Sequence, residues 1–235
     1  MSKNSKKPLQ HLLLEDVYAI KRSGNPNKPF APNARFGDLE GRTYQEIVEI
    51  FESRISGWYF DVAEAISDKI PGYNFAVIIL NSIILDLLSQ YIYGAPTSSE
   101  SIFKRFFREY LGEYNHKIDP PIVSCYFNKR RQKWMREVTR DVADGFYHCF
   151  RCGVVHAAGI LEYGRISSRY PEEIIKVIDW GQGAKEINVN AIELLRKLRV
   201  IFNAYIGKLK NSELILKHNF IEKFQMDYGV TIKRC

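Results

Sequence analysis

The sequence predicts a mainly α protein, a helical bundle with a small β-hairpin inserted before its last long helix. Three observations carry this. Apolar residues recur at three- and four-residue steps through several long windows. Turn chemistry separates those windows at Ser23-Gly24-Asn25-Pro26-Asn27-Lys28-Pro29, at Pro71-Gly72 and at Asp119-Pro120-Pro121. The β-branched runs are short: residues 174–180 and 187–189, with Gly181-Gln182-Gly183 between them. Helices with one apolar face must bury that face against each other, and a bundle does so.

The chain divides into an N-terminal extension over 1–41, partly irregular, and a single helical domain over 42–235 that ends in a basic tail. The extension holds a short helical turn near 12–20. Residues 42–69 form a helix, because Tyr44, Ile47, Val48, Phe51, Ile55, Trp58, Val62 and Ile66 share a face. Glu46, Glu49, Glu52, Asp61, Glu64 and Asp68 make its solvated side. A second helix over 73–93 is apolar on most sides and belongs between other helices. A third covers 99–114, with Ile102, Phe103, Phe106, Tyr110 and Leu111 inward. The fourth runs over 132–161 on a stripe of Val142, Phe146, Phe150, Gly153, Ala157 and Ile160. The last long helix covers 191–209 and a basic tail follows, and Lys208, Lys210, Lys217, Lys223, Lys233 and Arg234 extend the basic surface.

Composition removes several classes. Of 235 residues 46% are hydrophobic and 26% charged, which excludes wholesale disorder. Four Cys in this length make no disulfide framework. The greasiest stretch, 75–88, is interrupted by Asn81, Ser82 and Asp86, so it reads as a buried core helix and no membrane is expected. Leu12-Leu13-Leu14 is too short for the apolar part of a signal peptide, although Met1 to Lys7 is basic. A reduced, cytoplasmic protein is expected. The net charge of +7 admits an anionic partner such as RNA.

The chemistry concentrates in Phe146-Tyr147-His148-Cys149-Phe150-Arg151-Cys152-Gly153-Val154-Val155-His156. At about 100° per residue, Arg151 and His156 lie about 140° apart around an α-helix. One helix aims them poorly at one point, and a second copy packed alongside would complete a symmetric pocket. Arg151, four intervening residues and His156 resemble the Arg-x4-6-His motif of the HEPN superfamily. Phe150 before the Arg, Gly153, the upstream helix with Asp86 and the downstream hairpin and helix are similar to that family too. The resemblance covers about 73–209. It implies a metal-independent endoribonuclease without a cofactor, acting as a homodimer in a defence or toxin setting. An activating or neutralising partner protein belongs to such a setting. His156 would be general base or acid, and Arg151 would stabilise phosphate charge. The family commonly has Asn, Asp or His after the Arg, where this chain has Cys152, a weak hydrogen-bond partner.

Other readings stay open. Cys149, Cys152 and His156, with Cys125 or His148, could ligate zinc, although no second Cys/His pair has suitable spacing. Cys149-Phe150-Arg151-Cys152 is formally a redox spacing without the strand-helix setting such sites use. Asp86 on the apolar helix needs a partner and would orient Arg151 or His156. The basic window Lys129, Arg130, Arg131, Lys133, Arg136 and Arg140, with Trp134 and Tyr126-Phe127, suits single-stranded RNA. A non-catalytic helical module binding RNA or protein is the alternative function. Phosphate-loop, Gly-x-Ser-x-Gly, His-Glu-x-x-His and EF-hand patterns are absent, and His11, His116 and His218 have no recognisable partners.

Overall fold

The computed structural model describes residues 26–69, 74–128, 132–157, 159–167, 172–181, 183–211 and 213–233, with the side chains at 68–69, 126–128 and 155–157 outside that description. The helical turn expected at 12–20 lies outside the described residues. Pro29–Ala31 (β1) and Ala34–Arg35 (β2) pair antiparallel and bring Phe30 into the core. So part of the segment expected to be an extension belongs to the packed fold.

Thr43 starts the first helix with a capping box. Its hydroxyl accepts from the Glu46 N–H at 3.3 Å, and the Glu46 carboxylate accepts from the Thr43 N–H at 2.8 Å. Helix α1 (Tyr44–Ile55) passes through a π-helical turn at Ser56–Phe60 into α2 (Asp61–Lys69). Helix α3 (Asn74–Tyr93) is the central element and packs against α2, α4 (Glu100–Tyr110), α6 (Ala191–Lys210) and α7 (Leu214–Tyr228). Asn81 Nδ2 donates to the Ala191 carbonyl at 2.7 Å, and Asn219 Nδ2 donates to the Ile92 carbonyl at 2.7 Å. These bonds tie both C-terminal helices to α3. Among the described residues α3 is the one helix long and apolar enough to cross a membrane by length and composition, and more than half of it is buried inside the fold.

Two long strands follow, β3 (Lys117–Asn128) and β4 (Lys133–Asp141), paired antiparallel from Ile122↔Thr139 to Asn128↔Lys133. Asp141 caps the next helix by accepting from the Asp144 N–H at 2.9 Å. That helix, α5 (Val142–Phe146), changes winding without a break and continues as an 11-residue π-helix, Tyr147–Ala157. Three short strands close this half. Here β5 (Gly164–Ile166) runs parallel to the central β7 (Lys185–Val189), and β6 (Ile175–Asp179) runs antiparallel to it. Gly145 permits the close approach of this sheet, because a Cβ there would sit 2.1 Å from Ile187 Cδ1.

This architecture overturns the expected mainly α bundle. The described chain is about 59% helical and 20% strand in three small sheets, which makes it a mixed α/β arrangement. The predicted helix over 132–161 is the main source of the error. Its first part is β4, where Met135, Glu137, Thr139 and Asp141 are less exposed than Trp134, Arg136 and Arg140 on the other face. The inward face is partly polar, so it shows no alternation in hydrophobicity. The hairpin expected between residues 174 and 189 is present, but as two strands of a three-stranded sheet. The expected basic tail is largely helix α7, which buries Leu216, Phe220 and Phe224 and ends on a left-handed Gly229.

Candidate functional site

The site lies where α3, the 94–99 loop, β4 and the π-helix meet. Phe146 and Phe150 anchor the helix in the core against each other and against Phe103 and Phe107 of α4. The chain then returns along the helix. The Leu161 N–H donates to the Cys149 carbonyl at 3.0 Å, and the Gly159 N–H donates to the Gly153 carbonyl at 3.2 Å. Gly153 has no room for a side chain, since a Cβ would meet the Gly159 oxygen at 2.5 Å.

Winding decides which residues share a face. A π-helix closes i→i+5 hydrogen bonds at about 4.4 residues per turn, or about 80° per residue. Positions 151 and 156 then lie about 50° apart, not the 140° of an α-helix. The expectation that one helix separates them is therefore corrected at the level of the backbone. The side chain of His156 lies outside the described residues.

Arg151 is held from the neighbouring helix. Its Nη2 donates to Ser98 Oγ at 2.9 Å and lies 3.7 Å from Asp86 Oδ2, while Ser98 Oγ donates to Asp86 Oδ1. The Arg151 side chain is 15% exposed and that of Asp86 21%, so solvent screens the pair weakly. The guanidinium carbon lies 5.6 Å from the Tyr147 ring centre. Arg151 Nε is buried and has no hydrogen-bond partner among the described residues. Asp86 thus meets Arg151, as its place on the apolar helix suggested. Ser98, which joins them, was missed. It sits in a loop with no periodic signal, and only the fold brings it to Arg151.

Beside Arg151 opens a cavity of about 560 Å³, lined by Glu100, Glu137, Tyr147, His148, Cys152, Leu161 and Glu162. The His148 ring is clamped there. Its Nδ1 is 2.9 Å from Glu137 Oε2, and its Nε2 faces Glu162 Oε1 at 3.4 Å without the alignment of a hydrogen bond. The hydrogen bond to Glu137 raises the His148 pKa against the opposing effect of burial, with the Glu137 and Glu162 charges adding to the rise. Burial raises the Cys152 thiol, and the neighbouring Arg151 and Tyr147 offset part of that rise. Burial pushes the Tyr147 phenol up to about 12. Glu162 has a left-handed backbone, φ 47°, a conformation that costs a residue with a side chain about 1–3 kcal/mol.

The sequence pointed to His148 only as a spare zinc ligand and to Glu137 only as a charge in a basic window. Their meeting with Glu162 joins a strand, a helix and a loop, and no local pattern announces it. The zinc reading gains nothing from the fold. Cys149 is fully buried against Tyr163 and Gly164, and burial pushes its thiol up to about 12. Cys152 faces the cavity instead. Among the described residues no three His, Cys, Asp or Glu side chains gather as a metal would require.

The described part of the basic window, 133–140, lies in strand β4 of the β3–β4 hairpin and not at the start of a helix. Lys133 and Trp134 are exposed at its end, Trp134 by 71%. Lys129, Arg130 and Arg131 lie outside the described residues. No protein-family model, curated protein or solved structure matches this chain.

Proposed function

We propose that the chain is an endoribonuclease that cleaves single-stranded RNA without a metal, through attack of a ribose 2′-OH on the adjacent phosphorus. Arg151 and His156 are the working pair. The observation that carries this reading is the π winding over Tyr147–Ala157, which sets positions 151 and 156 close around one axis. His156 takes the 2′-OH proton or returns one to the leaving oxygen, since an imidazole titrates near neutrality. Arg151 donates to the phosphate oxygens as charge builds on them. Its guanidinium has five N–H donors, and the Ser98–Asp86 pair uses the Nη2 end and fixes its direction. A positioned donor loses no free energy to reorganisation when the charge appears. We take the active form to be a homodimer, in which a second copy places a second Arg/His pair beside the first.

A second reading has its own support. Trp134, Arg136 and Arg140 are exposed on β4, and cations along a strand that carries an exposed aromatic suit single-stranded RNA held without cutting. The test compares wild type with Arg151→Ala and His156→Ala on an unstructured RNA oligonucleotide in EDTA. Wild type should release fragments ending in 2′,3′-cyclic phosphate and 5′-hydroxyl, with each variant slower by about a hundredfold or more. Variants that cleave like wild type would overturn the assignment. RNA binding without cleavage in all three would leave the binding module.

A further inference from the structure

The 560 Å³ cavity beside Arg151 has the wrong charge for the phosphate that Arg151 would hold. Glu137 and Glu162 flank His148 within it, Glu100 stands at its rim, and among the described residues no Lys or Arg lines it. Two of these carboxylates are already engaged. Glu100 Oε1 accepts from Lys104 Nζ at 2.6 Å, and Glu137 Oε2 is bonded to His148. The Glu162 carboxylate faces His148 Nε2 at 3.4 Å without a hydrogen bond, so it keeps acceptor capacity, and it stands on a backbone conformation that ordinarily selects Gly or Asn. Leu161 and Tyr147 add apolar wall. Such a site rejects phosphate and accepts a flat group that donates hydrogen bonds.

We propose that this cavity is a nucleobase pocket with a preference for guanine, read by the Glu162 carboxylate. The choice of ligand rests on the ribonuclease reading, because a phosphate at Arg151 leaves its attached base to reach past Cys152 into the cavity. The selectivity follows from hydrogen-bond inventory. An ionised carboxylate only accepts, through two oxygens side by side. Guanine alone among the four bases presents two adjacent donors on its Watson–Crick edge, N1–H and the N2 amino group. Adenine and cytosine set one amino donor beside a ring acceptor, and uracil sets one N–H between two carbonyls. Each of those three places a lone pair against a carboxylate oxygen. A well-made bidentate contact discriminates by about tenfold or more.

The test uses the full chain and the four free nucleosides, which carry no phosphate and so bypass Arg151. Ring resonances of His148, assigned by comparison with His148→Gln, report on the cavity by NMR. Guanosine should shift them and half-saturate at a concentration about tenfold or more below uridine. Glu162→Gln should bring guanosine down to the level of uridine. Should that variant fail to fold, Glu162→Asn replaces it, since Asn tolerates the left-handed backbone. Four nucleosides that leave His148 unmoved, or move it equally, would overturn the pocket. RNA cleavage by the same preparations separates the two claims. A guanosine response without cleavage keeps the pocket and removes the ribonuclease. Cleavage with no guanosine response and no bias toward guanine at the cut sites does the reverse.

Discussion

Two helices cross at the centre of this molecule and are built on opposite terms. Helix α3 is regular over 20 residues and buries Val77, Ile78, Ile84, Leu85, Leu88 and Ile92. Three of its polar side chains serve the packing, Ser82 donating to the Ile78 carbonyl, Ser89 to the Asp86 carbonyl and Asn81 to the Ala191 carbonyl, and Asp86 reaches the site. The Tyr147–Ala157 helix packs against it with i→i+5 winding and carries Tyr147, His148, Arg151 and Cys152. Of the three buried side-chain atoms without a hydrogen-bond partner among the described residues, one is Asn81 Oδ1 on α3. The other two, His148 Nε2 and Arg151 Nε, lie on the π-helix. A regular helix gives the best backbone bonds and a stable stripe of packing. Winding by five gives that up, and in this chain it gathers titratable residues onto one side. π-helical turns concentrate at functional sites generally, and the contrast with α3 shows why one would be kept here.

Substitutions can break or sharpen this contrast. The largest effect is expected at the core anchor of the π-helix. Phe150→Ala should cost about 3–5 kcal/mol in urea denaturation, because a fully buried ring among Phe146 and its neighbours is lost. Next comes Gly153→Ala. In a regular exposed helix this change stabilises, but here the added Cβ meets the Gly159 oxygen, and a loss of about 1–3 kcal/mol is expected from overpacking. A gain in stability would mean the chain does not return against the π-helix as described. Ser98→Ala comes next: it removes two hydrogen bonds, one from Arg151 and one to Asp86, each worth about 1 kcal/mol. It should reduce cleavage through the misdirected Arg151 while RNA affinity stays close to wild type.

The smallest expected effect is on pH dependence. The folded pKa of His148 is raised above 6.5 by Glu137 and Glu162. The clamp's contribution is therefore fully present below the unfolded value and is lost as pH rises through the folded one. The urea midpoint should fall across that window, and His148→Gln should flatten the fall. An unchanged slope in the variant would show that His148 is not the group responsible.

Much of the helical framework was legible in the sequence, for physical reasons that also mark where reading failed. The apolar spacing from Tyr44 to Ile55 is local, so it survives without knowledge of the fold, whereas the π turn at Ser56–Phe60 shifts the register and leaves Val62 exposed. The run over 75–88 is apolar on most sides and goes largely inside, with Phe75 and Ile83 left exposed. Helix α7 is equally local, with Leu216, Phe220 and Phe224 four apart, but Lys217 and Lys223 lie among them and give the segment the look of a basic tail. Strand β4 was not legible by hydrophobicity, since Glu137 and Thr139 occupy its inward face. The π winding has no periodic signature of its own in these residues. Arg151 was visible from its neighbours in sequence, whereas Ser98, Glu137 and Glu162 reach the site through tertiary contacts alone.

The central claim is that positions 151 and 156 act as one unit on one helical face. The most direct measurement is the rate of RNA cleavage in EDTA by wild type, Arg151→Ala, His156→Ala and the double variant. Groups that act together lose their effect together, so removing both should slow the reaction little more than removing either one. Losses that multiply in the double variant, or a wild type that leaves RNA intact, would contradict the account.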